Sequence, residues 1–101
     1  MTDDEMLQQL RDITATASFN QWAGFEVVRA TAGECELMMV WRPEEMGQYV
    51  GFLHAGMIGA LLDTACGFAA VTTSGAAVLA SQFSMQCLAP AVGSEFVAIG
   101  R

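Results

Sequence analysis

The sequence predicts an α+β domain in which an antiparallel sheet folds around one long buried helix. Three observations carry that expectation. Residues 54–72 are apolar almost all round, so a helix there must be buried. The segments on either side alternate apolar and polar residues with the period of a strand. Glycine and proline fall between these segments, where turns are needed. A helix of that kind needs a sheet to cover it, and hairpin-connected strands supply one. With 101 residues, 53% of them hydrophobic, the chain suits one domain with a single core.

The elements follow in order. Residues 4–17 form an amphipathic helix, with Met6, Leu7, Leu10 and Ile13 on one side. Asp3 and Asp4 sit at its start, where negative charge meets the helix dipole. Residues 25–30 read as a first strand, and Ala32-Gly33 as a turn. In residues 34–42, Cys35, Leu37, Met39 and Trp41 alternate with polar neighbours, giving a second strand that Pro43 stops. Residues 43–53 are expected to be loop, and residues 54–72 helix. After the Thr73-Ser74-Gly75 turn, residues 77–88 alternate again, with Leu79, Phe83, Met85 and Cys87 on one side, and predict a third strand. A fourth begins at Glu95. Arg101 falls where that strand should still be running, so the expectation is one domain over residues 1–101 that is incomplete on its C-terminal side.

Charge and cysteine content narrow the function classes. Eleven acidic residues against four basic ones give a formal charge of −7. Binding nucleic acid requires a basic footprint to displace counterions, so that class is disfavoured. Cys35, Cys66 and Cys87 lie in apolar segments without metal-ligand spacing. An odd count of this kind reads as free thiols in a reducing compartment. The acidic start, Met1 to Glu5, is the reverse of a secretory leader. The apolar run over residues 57–71 is short and interrupted by Asp63, which argues against a membrane span. A cytoplasmic protein without a membrane or nucleic-acid partner is the expectation.

The long helix holds the most chemistry. At about 100° per residue, Gly56, Gly59, Ala60, Cys66, Gly67 and Ala70 lie within roughly 60° of Asp63. Every one of these is small. Glycine in a helix costs roughly 1 kcal/mol relative to alanine, so such a face makes sense where a helix or an extended ligand approaches the backbone. Upstream, Gly51-Phe52-Leu53-His54-Ala55-Gly56 runs a turn into a helix N-terminus. The first amides of a helix have no partner within it and attract developing negative charge. A carbonyl placed there would find an oxyanion hole. The plainer reading is close helix packing, with Asp63 bonded to a neighbouring amide.

His54-Ala55-Gly56 followed by Leu62-Asp63-Thr64-Ala65 resembles the His-Gly-Gly…Asp signature of the hotdog thioesterase superfamily. The branch it is most similar to is the phenylacetate-degradation (PaaI-type) thioesterases. The spacing of His54 to Asp63 agrees with that branch, as does the segment from Gln82 to Pro90-Ala91 with Gly93. The resemblance covers nearly the whole chain from the first helix on. It implies a hotdog fold and hydrolysis of an acyl-coenzyme A (acyl-CoA) or aryl-acyl-CoA thioester without a cofactor or metal. Asp63 would activate water or attack the carbonyl, and the amides at Ala55 and Gly56 would form the oxyanion hole. Ala55 departs from the family's usual glycine, but its amide remains. His54 would hold the loop and the carbonyl in place; its plainer reading is a helix-capping histidine without chemistry. Gln48 falls where the family often has asparagine. Gly59 and Ala60 would line the substrate groove. A hydroxyl from the following strand falls at Ala80 counting back from Pro90 and at Ser81 counting forward from Asp63. The resemblance further implies a homodimer, or a dimer of dimers, with sites at the interface. Two other classes stay open: a non-catalytic module that binds an acyl ligand, and a hotdog hydratase or dehydratase.

Overall fold

The structure is a computed structural model that describes residues 1–101. Two N-terminal helices, α1 (Asp3–Thr16) and α2 (Ser18–Ala23), lead into β1 (Glu26–Thr31) and β2 (Glu34–Val40). A short helix α3 (Pro43–Met46) and a 3-10 turn (Tyr49–Gly51) precede the long helix α4 (Ala55–Ser74). Strand β3 (Glu95–Gly100) follows. The sheet is antiparallel in the order β1-β2-β3, and α4 lies across it, so the expected α+β plan is present.

Local chemistry explains where the elements begin and end. Thr2 and Glu5 form a capping box at the start of α1, each side chain bonded to the other's backbone N–H. Gly24 ends α2 and Gly75 ends α4, both in the left-handed conformation that favours glycine. Arg11 on α1 donates two hydrogen bonds to the carbonyl of Val27. That carbonyl lies beside a bulge in the β1–β2 ladder, so α1 is tied to the sheet where the ladder is irregular.

The core forms between α4 and one face of the sheet. Met57, Leu61, Ala65 and Phe68 of α4 are buried together with Val27, Cys35, Leu37, Met39 and Ala98 of the strands. The contact is close at one point. A methyl group added at Gly100 would lie 2.2 Å from the carbonyl oxygen of Ala65. Only a residue without a side chain lets β3 come that near to the helix backbone. By length and composition alone, α4 could cross a membrane; the expectation had measured a shorter run. Here its apolar side is used against the sheet.

Three expectations need correction. Residues 18–23 are helical, in a stretch the sequence left unassigned. The supposed loop over residues 43–53 contains α3, with Pro43 at its start where the missing N–H does no harm. The strand over residues 77–88 does not form. Residues 77–90 make no main-chain hydrogen bond, and all of them except Met85 are exposed. Alternation decides which side chains share a face, but a strand also needs a ladder partner, and none of β1, β2 and β3 is hydrogen-bonded to this segment. Its side chains still reach α4: a methyl group added at Gly59 would lie 3.6 Å from Phe83 and 3.7 Å from Met85. On the other side, β3 has no neighbour beyond β2, so its outer edge is open.

Candidate active site

Asp63 lies two turns into α4 and is half-buried. Its carboxylate takes no hydrogen bond from the chain and belongs to none of the four ion pairs. The alternative of an acid bonded to a neighbouring amide is therefore not what the fold contains. The side chain instead borders a cavity of about 550 Å³. That cavity runs along α4 past Thr64, Cys66, Gly67 and Ala70, and the segment around Val78 and Phe83 closes its far side. Ile13 of α1 and Asn20 of α2 reach it from the N-terminal helices. A second, shallower cleft joins Asp63 to Ala80 and Ser81. Both positions considered for the hydroxyl thus lie beside the acid.

At the start of α4 His54 has the capping role of its plainer reading, and the two amides that follow it are not equivalent. His54 is the N-cap of the helix, and its Nδ1 accepts a 2.8 Å hydrogen bond from the Gly56 N–H. The Gly56 amide is therefore not free. The amides of Met57 and Ile58 both bond to the His54 carbonyl. The Ala55 N–H bonds to nothing in the chain. Of the two amides expected to form the oxyanion hole, one is available.

The other residues separate in space. Gln48 is exposed and borders a cavity with Ala55, Leu88 and Pro90, away from Asp63. His54 and Gly56 border a third cavity with Phe19 and Met57. Gly59 is buried beneath Phe83 and Met85 rather than open. Ala60 is half-buried, and its carbonyl accepts from the Thr64 hydroxyl. None of these cavities holds both Asp63 and Ala55. Arg42, the basic residue near this end of α4, stacks on Trp22 at 5.1 Å and pairs with Glu45 at 3.0 Å. Among the cysteines, burial pushes the Cys35 thiol up to about 11, which makes it a core residue rather than a nucleophile. Cys66 and Cys87 are exposed and unpaired. Ile13, Asn20, Thr64 and Phe83 escaped the sequence reading as site residues. Thr64 and Phe83 carry no chemical signature, and Ile13 and Asn20 reach the site only through the tertiary fold.

No protein-family model matches the chain, and no curated protein is significantly similar to it. Solved structures are. A thioesterase family protein from Silicibacter pomeroyi is 35% identical and superposes with a TM-score of 0.85, covering 91% of this chain and 68% of its own. The Escherichia coli PaaI protein from the phenylacetic acid degradation operon is 18% identical with a TM-score of 0.85, covering 98% of this chain and 71% of its own. A Shewanella oneidensis protein related to the thioesterase superfamily is 18% identical with a TM-score of 0.70, covering 95% and 74%. The last two speak to the fold alone.

Proposed function

Because the chain belongs to the thioesterase superfamily, we propose that it hydrolyses an acyl-CoA thioester to the free acid and coenzyme A. The observation that carries this reading is a half-buried carboxylate with no partner in the chain, beside a largely apolar cavity. Such an acid is free to take a proton from water, or to attack the thioester carbon itself. In the general-base route, water adds to the carbonyl carbon as its proton passes to Asp63. The oxyanion that forms is held by the Ala55 N–H at the positive end of α4. Collapse of the tetrahedral intermediate breaks the carbon–sulfur bond, and the leaving thiolate takes the proton back from Asp63.

Helix geometry bears on where the two groups meet. Ala55 and Asp63 are eight residues apart on one helix, which is about 12 Å along its axis. Reacting atoms must approach to about 3 Å, so the Ala55 amide and the Asp63 carboxylate of one copy do not serve the same carbonyl. Two copies in an antiparallel arrangement resolve this. Gly59 lies midway between the two residues, and a two-fold axis abreast of it brings Ala55 of one copy level with Asp63 of the other. The unbonded main chain of residues 77–90 supports the same arrangement, because Phe83 and Met85 lie over Gly59 and their backbone is free to pair across that axis. The working unit is thus a homodimer, or a dimer of dimers, with two sites per pair. We place it in the cytoplasm, where the exposed Cys66 and Cys87 stay reduced.

Thiol release from a panel of acyl-CoA esters tests the proposal. Asp63→Asn keeps the shape but removes the base, and should lower kcat by about 10² to 10⁴. Equal rates for the two proteins would remove Asp63 from the chemistry. Tight acyl-CoA binding with no turnover would make the protein an acyl-binding module instead.

A further inference from the structure

The cavity beside Asp63 has a direction, and the direction names a class of acyl group. Gly67 and Ala70 follow the acid by four and seven residues, so they lie on nearly the same face of α4, about 6 and 10 Å along its axis. With Cys66 they form a floor of small side chains leading away from the carboxylate. Ile13, Val71, Val78 and Phe83 line the same cavity. At Gly67 the passage is narrow. A methyl group added there would sit 3.9 Å from Val78 Cγ2, which is ordinary contact distance. A side chain at that position would therefore reach Val78 and close that part of the passage, so a bound chain runs beside the Gly67–Val78 contact.

The geometry points to Gly67 and Ala70 as the residues that set acyl-chain length, with an aliphatic chain of medium length lying along α4. This rests on the hydrolase reading and on Asp63 marking the carbonyl. With carbon–carbon bonds near 1.5 Å, a run of about 10 Å takes about eight extended carbons. The lining suits such a chain, since ten of the fifteen residues around the cavity are hydrophobic and its volume of about 550 Å³ falls in the range of true ligand pockets. An acetyl group would leave most of that space to water.

Two substitutions read the direction and the register together. Leucine is a good helix former, so Gly67→Leu and Ala70→Leu both leave α4 helical. The measurement is kcat/KM for straight-chain acyl-CoA esters from two to sixteen carbons, with phenylacetyl-CoA alongside. In the unaltered protein, octanoyl-CoA should exceed acetyl-CoA and phenylacetyl-CoA at least tenfold. Gly67→Leu should lower the octanoyl-to-butyryl ratio at least tenfold. Ala70→Leu should spare that ratio and lower dodecanoyl against octanoyl instead. Chain-length profiles unchanged in both variants, or phenylacetyl-CoA as the preferred ester, would overturn the assignment while leaving Asp63 as the acid. Absence of hydrolysis with every ester would instead strike the hydrolase reading itself, and this assignment with it.

Discussion

The two amides at the start of α4 differ in one contact. Gly56 gives its hydrogen to His54 Nδ1, while the Ala55 N–H meets no acceptor. This makes a clean test possible. Proline is tolerated at the first position of a helix, where its missing N–H breaks no helical bond. His54 already has the extended backbone that precedes a proline, with φ −62° and ψ 136°. Ala55→Pro should therefore leave the thermal melt unchanged and lower kcat by about 10² to 10³, the loss typical of one oxyanion donor. An unaltered rate would remove this amide from the mechanism. The family resemblance pointed to the Ala55 N–H as the expected donor, but nothing in the sequence showed that the Gly56 amide is taken up by His54. Histidine is not among the preferred capping residues, and only its side-chain conformation reveals that it accepts from Gly56. Asp63 was legible, because its small neighbours recur at helical spacing.

At the level of elements, period alone identified α1, β1, β2, α4 and β3 to within about two residues at most ends, the usual uncertainty of helix and strand limits. It failed over residues 77–88 for a reason that belongs to sheets. A helix satisfies its backbone from within, whereas a strand is completed by a neighbour, and a neighbour is not written in the strand's own residues. The six-residue α2 was missed because so short a helix shows too few turns for a period. Gly100 illustrates the opposite case, in which a single residue fixes how two elements meet. Placing a methyl group 2.2 Å from the Ala65 carbonyl oxygen would force β3 away from α4. The neighbour is backbone and cannot rotate aside, so Gly100→Ala should destabilise by about 3 kcal/mol, the upper end of overpacking costs. The midpoint of urea unfolding checks this. A shift of a few tenths would mean that the strand can move without loss.

For the whole molecule, the proposed mechanism, with about 12 Å between Ala55 and Asp63 along α4, requires a pair of chains. Ala55→Pro and Asp63→Asn each spoil both sites of their own homodimer. Unfolded and refolded together, they should recover about a quarter of the normal rate, since half the dimers are mixed and each mixed dimer keeps one intact site. No recovery, in a mixture shown by mass to contain mixed dimers, would place both groups in one chain. The sequence alone carried the acid and the helix start but not their separation into different cavities.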